Sequence, residues 1–272
     1  MSRIALLQMT AGIDPAVNAQ TISDAIVEAA REGSSILFTP EMSGLLDRDR
    51  RRAERNIVRE EENPVLARAR NTAANAGIWV ALGSLAVLKE EGRWANRSLL
   101  IDANGEIAAR YDKIHMFDVD LSNGESWRES SAYEPGREVV SADDTPVGRL
   151  GLTVCYDVRF PALFERLGRE SCDAIAIPAA FTVPTGEAHW HLLQRARAVE
   201  SSAWVIAAAQ VGLHADGRRT YGHSLVVDPW GEVVLDMGGE VSGVGFATID
   251  PERTREVRRQ LPSLANKRDI LD

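Results

Sequence analysis

Cys155, Glu41 and Lys113 are the residues of this 272-residue chain whose types and settings suggest chemistry. Cys155 closes the apolar run Gly151-Leu152-Thr153-Val154 and precedes Tyr156-Asp157-Val158-Arg159-Phe160-Pro161. A thiol at the carboxyl end of a buried strand, before a turn into a helix, lies where an α/β scaffold exposes a reacting atom. Glu41 ends the strand-like run Phe38-Thr39-Pro40-Glu41, and Lys113 follows another in Tyr111-Asp112-Lys113. Amide cleavage needs a nucleophile, a proton carrier and a holder for the oxyanion. Cys155 can attack as thiolate, while Glu41 can take its proton and return it to the departing nitrogen. Lys113 can face the oxyanion and help keep the thiol ionised, with the Tyr156 N–H as second donor. Singly, each has a blander reading: a buried structural cysteine, a solvated turn residue, a surface charge. Cys172, before Asp173 and without polar company, reads as structural.

The elements that must position these groups alternate along the chain. Strands are expected at Arg3–Met9, Ser35–Thr39, Ile78–Gly83, Leu150–Val154, Ala174–Pro178, Trp204–Gln210 and Gly243–Ile249. Asp14-Pro15 reads as an N-cap with proline in the first helical position, and that helix stops at Gly33. Further helices are expected from Pro64 to before Gly77, and over Pro161–Arg169, Glu187–Ser201 and Pro251–Gln260. Asn104-Gly105 suits a tight turn joining Asn96–Asp102 to Glu106–Tyr111. Tyr221–Val227 and Glu232–Leu235 read as a second hairpin, with His223 packed inside its strand. The second half repeats the theme of the first without repeating its sequence. The pattern predicts sheets covered by helices, an α/β domain spanning 1–272 with a C-terminal tail from about 251. The mixed-sign charge run over 47–62 reads as solvated surface.

Hydrophobic residues make up 44% of the chain, ample for a large core. A formal net charge of −9 disfavours nucleic acid and acidic membrane surfaces as main partners. Two cysteines form no disulfide framework, which implies a reducing compartment. The apolar run near Met1 is too short for a signal peptide, and none reaches the ~20 residues of a membrane helix. A cytoplasmic protein is expected. His189 and His191, two apart, point to different faces of a helix, so no metal is expected there.

Glu41 within 38–44, Lys113 within Tyr111-Asp112-Lys113-Ile114-His115 and Cys155 within 151–161 resemble the three signature blocks of the nitrilase superfamily of carbon–nitrogen hydrolases. The resemblance runs from Leu7-Gln8-Met9-Thr10 to about Leu261-Pro262. It implies a four-layer α-β-β-α sandwich, paired across a helical face into a homodimer or higher even oligomer. It also implies Glu41 as general base, Lys113 as oxyanion holder and Cys155 as nucleophile, with Glu129 as the second glutamate supporting lysine and substrate. No cofactor is implied.

Pro178-Ala179-Ala180-Phe181, Thr185–Trp190, Arg195–Glu200 and Tyr221–Gly231 are similar to the amidase branch, and Ala207-Ala208-Ala209-Gln210 to its members acting on deaminated glutathione. Tyr156-Asp157, where true nitrilases have Trp-Glu, argues against nitrile hydrolysis. Ala162 replaces a glutamate frequent in relatives, and Ser122–Ser131 also departs from them, at the pocket rim. The expected substrate is a small ω-amide, deaminated glutathione first, cleaved through a cysteine thioester with release of ammonia. Alternatives are an omega-amidase acting on 2-oxoglutaramate or 2-oxosuccinamate, an N-carbamoyl amidohydrolase, a thiol peptidase or acyltransferase, and a catalytically silent binding protein. Arg159, four residues past the nucleophile, is a candidate for a substrate carboxylate, the alternative being an ion pair with Asp157. Tyr156, Phe181 and Thr182 complete the candidate substrate wall.

Overall fold

A computed structural model describes residues 1–90, 92–120, 124 and 126–268. Two six-stranded sheets form its middle. One runs in the order Gly243–Ile249, Ser2–Gln8, Ile36–Phe38, Trp79–Leu88, Trp94–Ile101, Ile107–Asp112. The other runs Val233–Asp236, Leu225–Val227, Trp204–Ala207, Ala174–Ala176, Gly148–Leu152, Val140–Thr145. Each has three parallel strands at its centre and antiparallel strands outside them.

The period of two along the strands builds the layers. Ile4 and Leu6 point into one core with Leu150, Ile175 and Val205 of the other sheet. Ala5 and Leu7 point the opposite way, against Ile22 and Ile26 of helix Pro15–Arg31 and Leu66 and Ala69 of helix Pro64–Ala76. Helices Pro161–Arg169 and Val183–Ser201 cover the second sheet, contributing Phe164, Leu167, Trp190 and Ala198 to its core. The result is the expected α-β-β-α sandwich.

Local chemistry sets the helix ends as anticipated. The Asp14 carboxylate accepts the Ala16 N–H at 2.9 Å ahead of Pro15. Asn63 caps the next helix by accepting from Val65 and Leu66, and Gly77 ends it at φ 64°. Helix Pro251–Gln260, where the tail was expected to begin, has the expected bounds and packs against the rest of the chain. Thr254 and Val257 are buried, and Arg258 donates to the Ser202 and Cys172 carbonyls. Among the described residues no helix is long and apolar enough to cross a membrane.

Several expectations change, among them helix 187–201, which starts earlier, at Val183. Tyr221–Val227 is not one strand: Arg219–Tyr221 pairs with Val211–Leu213 in a separate ribbon, while Leu225–Val227 joins the large sheet. Gly222 (φ 73°) and His223 (φ 55°) turn the chain between them. His223 is therefore outside any strand, and its Nδ1 meets Asp236 at 2.9 Å. His191 Nε2 reaches the same carboxylate at 3.0 Å, a partner that helix spacing could not reveal. Burial alone would raise the Asp236 carboxyl, but hydrogen bonds from His191, the Gly238 N–H and His223 hold it below the usual range. Last, the nucleophile's strand stops at Leu152, so Cys155 opens a 3₁₀ turn, Cys155–Arg159.

Candidate active site

The carboxyl ends of the two parallel sets meet at a seam. Met9 pairs with Gln210 across it, and the Val211 N–H donates to the Met9 carbonyl at 2.9 Å. The buried Gln210 amide reaches across the seam, accepting from the Ala11 N–H (2.9 Å) and donating to the Glu41 carbonyl (3.0 Å). Glu41 sits in a tight turn after Ile36–Phe38, where Met42 has φ 55°. That turn presses on Gly83, whose N–H donates to Thr39 Oγ1. A Cβ on Gly83 would lie 2.0 Å from the Thr39 carbonyl oxygen, so only glycine fits.

Glu41, Lys113 and Glu129 share one buried hydrogen-bond network. Lys113 Nζ donates to Glu41 Oε1 at 3.0 Å and to Glu129 Oε2 at 2.8 Å. Asn96, a residue sequence reasoning missed, donates through Nδ2 to Glu41 at 2.9 Å and Glu129 at 3.0 Å. The Ala180 N–H binds the other Glu41 oxygen, and the Phe117 N–H binds Glu129. Lys113 is held by pairing beside Asn96, whose carbonyl accepts the Lys113 N–H. Burial opposes its charge, yet the Glu129 and Glu41 carboxylates hold its ammonium well above the usual range. Lys113 is thus charged at neutral pH.

Cys155 has φ 48°, a left-handed conformation that L side chains rarely adopt. Its N–H donates to the Pro178 carbonyl at 2.8 Å. Asp157, fully buried, closes the turn by accepting the Val154 N–H at 2.9 Å and the Tyr111 hydroxyl at 2.7 Å. Its second oxygen meets the His115 N–H at 3.0 Å and His115 Nδ1 at 2.7 Å. One carboxylate therefore ties the turn bearing Cys155 to the segment bearing Lys113. Burial pushes the Cys155 thiol well up, Glu41 pushes it further, and Lys113 only partly offsets them. Lys113 works toward the thiolate, as expected, but burial and Glu41 outweigh it. Cys172 is also buried and unpaired, its thiol pushed up to about 12 by burial and then Glu170.

Glu41, Lys113, Glu129, Cys155, Tyr156, Phe181 and Thr182 line one cavity of about 540 Å³. Arg159 is not among its lining residues. The Arg159 guanidinium lies 5.8 and 5.4 Å from the ring centres of Tyr156 and Phe181, and 3.3 Å from His189 Nδ1. The alternative pairing with Asp157 is not formed, because backbone, tyrosine and histidine donors occupy that carboxylate. Sequence reasoning also missed Trp94, Trp127, Tyr133 and a set of arginines in the cavity wall. Of the rim segment 122–131, Ser122, Asn123 and Glu125 lie outside the described residues, while Trp127 to Glu129 reach the cavity.

Comparison with known proteins supplies the family. The family model described as carbon-nitrogen hydrolase matches residues 3–259. A deaminated glutathione amidase of Yersinia enterocolitica is 40% identical over 272 residues, covering 99% of this chain and 94% of that protein. The C. elegans NitFhit crystal structure superposes with a TM-score of 0.90 at 34% identity; it covers 98% of this chain, which spans 65% of that longer one. Nit3 of Saccharomyces cerevisiae, a nitrilase-superfamily member, superposes at 0.85 with 27% identity, covering 96% of this chain and 94% of its own. The chain belongs to the carbon–nitrogen hydrolase family and is a hydrolase of amide carbon–nitrogen bonds.

Proposed function

We propose that the chain cleaves a small amide of a 2-oxo acid, deaminated glutathione first, with Cys155 as nucleophile. The observation that carries this reading is the convergence of Glu41, Lys113 and Cys155 on one cavity, with the thiol on a left-handed turn. In the resting state the thiol is protonated and Lys113 is charged. As sulfur attacks the carbonyl carbon, the thiol proton passes to Glu41, while Lys113 and the Tyr156 N–H face the oxyanion. Protonated Glu41 then gives its proton to the leaving nitrogen, and a thioester remains. Water attacks the thioester, Glu41 takes the water proton, and collapse returns a proton to sulfur. Glu129 and Asn96 act through Lys113 and Glu41, holding both in register. Side chains supply nucleophile, proton carrier and oxyanion holder, so no step is routed through a cofactor.

The proposed leaving group differs from the ammonia first expected. In a deaminated tripeptide the amide nitrogen belongs to an amino-acid residue, so an amine departs; only an unsubstituted ω-amide releases ammonia. A cavity of about 540 Å³ has room for such a substituent. The test incubates the enzyme with deaminated glutathione and with 2-oxoglutaramate, following acid and amine products by mass spectrometry. Turnover of the former that disappears in Cys155→Ala, with the circular dichroism spectrum unchanged, is expected. Turnover by Cys155→Ala at the wild-type rate would refute the assignment.

Pairing of two copies through helix Val183–Ser201 belongs to the same proposal. Leu192 and Val199, seven residues apart and hence on one helix face, are 67% and 41% exposed. Sedimentation should give a dimer that Leu192→Glu weakens. A cytoplasmic setting fits a reaction that needs a reduced thiol.

A further inference from the structure

The cavity is acidic and basic in different places. Glu41, Lys113 and Cys155 are buried within it and Glu129 is partly buried, whereas Arg48, Arg50, Arg128 and Arg219 line it from exposed positions, which puts them at its mouth. Ion pairs account for some of the charge there. Arg128 pairs with Asp120, Arg218 with Asp216, and Asp47 with Arg52. The Arg50 guanidinium donates to the Arg128 carbonyl. Among the described residues, no carboxylate pairs with Arg48, Arg50 or Arg219. Three guanidinium groups without a carboxylate partner, with Asp49 between two of them, give a chain of net charge −9 a rim rich in arginine.

This rim is also held in place. Asp216, whose side chain is fully buried, accepts the Arg48 N–H at 2.8 Å, the Arg218 N–H at 3.0 Å and Arg218 Nε at 2.8 Å. It thereby fixes the loop carrying Arg48 against the turn carrying Arg219. The Arg218 guanidinium lies 4.9 Å from the ring centre of Trp127, bringing the third segment of the mouth alongside. The backbone from which Arg48 and Arg219 project is thereby anchored.

We propose that Arg48 and Arg219, with Arg50 beside them, form a carboxylate subsite for the far end of the substrate's leaving group. Guanidinium is planar and forked, matched to carboxylate oxygens. The direction follows from the order of product release. The amine must escape to solvent while the acyl group is still bonded to Cys155, so the leaving portion lies on the mouth side of the sulfur. The subsite thus selects amides whose amine portion ends in a carboxylate, such as a dipeptide with a free carboxyl terminus. This rests on the amidase reading above and deepens it.

The test compares two 2-oxo-acid amides of cysteinylglycine, one ending in a free carboxylate and one in a carboxamide. Wild-type enzyme should prefer the carboxylate by about tenfold in kcat/KM, as expected for a charge-assisted hydrogen bond at an open site. In Arg48→Gln and in Arg219→Gln that ratio should fall toward one. A folding defect would lower both rates together and leave the ratio standing, which overturns the subsite, as does a wild-type ratio near one. If neither compound turns over, the substrate reading fails, and calorimetry then judges the subsite by itself. Cysteinylglycine should bind the wild type about tenfold more tightly than its carboxamide, a difference lost in Arg48→Gln; equal binding overturns the proposal.

Discussion

Replacing Asp157 should damage the enzyme twice, in stability and in turnover. The carboxylate is fully buried and accepts four hydrogen bonds, at 2.7, 2.7, 2.9 and 3.0 Å. Asp157→Ala leaves the Val154 and His115 N–H groups and the Tyr111 hydroxyl without their acceptor. A buried hydrogen bond to a charged group contributes about 1.5–3 kcal/mol, but the four are not additive, and removing one partner of a buried charged network typically costs about 3–5 kcal/mol. A loss of about 4 kcal/mol is the working figure, equivalent to about 8–16 °C in Tm for a chain of this size. Asp157→Asn keeps the shape but turns an NH2 toward one pair of donors, so about half that loss is expected. Tyr111→Phe removes a single bond and should cost about 1 kcal/mol. The second effect is geometric. With the tie to Tyr111 and His115 gone, Cys155 and Lys113 lose their common reference, and a displacement of about 1 Å can lower kcat about 10²-fold. Thermal melts followed by circular dichroism give the first quantity. Turnover at 25 °C, where the variant is still folded, gives the second. An Asp157→Ala protein melting within about 2 °C of wild type would refute the account, as would a kcat unchanged while Tm falls.

Glu41→Gln keeps an oxygen for Lys113 and Asn96 but cannot take a proton, so kcat should drop about 10²–10⁴-fold with the fold intact, checked by steady-state kinetics. Gly83→Ala would drive a Cβ into the Thr39 and Pro40 carbonyls, 2.0 and 2.3 Å away; a loss of soluble protein or of several degrees in Tm is expected. His214 should make stability pH-dependent. It is buried and neutral, Nδ1–H donating to the Ala11 carbonyl and Nε2 accepting from Thr220. Burial holds its proton affinity below the ordinary value of 6.5, so unfolding takes up a proton in mildly acidic solution. Its contribution is complete above pH 6.5 and is lost as pH falls through the lowered folded value. Melts from pH 7.5 to 5 should show a steeper decline in wild type than in His214→Gln; parallel curves would contradict this.

Much of the architecture was legible because its signals are local. Asp14-Pro15, Gly77 and Asn104-Gly105 announce their caps and turn through side-chain and backbone preferences that owe nothing to distant contacts. The bounds of Pro161–Arg169, Gly243–Ile249 and Pro251–Gln260 follow for the same reason. Glu41, Lys113 and Cys155 stood out because each lies at or just after the end of an expected strand. What stayed hidden depends on residues far apart in the chain. Asn96 looks like an ordinary hairpin residue until Glu41 and Glu129 arrive from 55 and 33 positions away. Arg48 sat inside a charge run that reads as surface, and most of that run is surface. His223 looked like a strand residue, since nothing in Tyr221–Ser224 discloses a left-handed backbone at a non-glycine position. The lysine's pull on the thiol was legible, but the burial that outweighs it was not.

The pairing of Met9 with Gln210 carries one more consequence. Carboxylate and sulfur are delivered by separate halves of the sandwich, and neither half alone holds a working pair. Slight slippage where the halves join would disarm the catalyst while every strand and helix remained. Titrated with urea, the enzyme should fall silent at a lower concentration than the one that erases its far-ultraviolet signal, and recover at once on dilution.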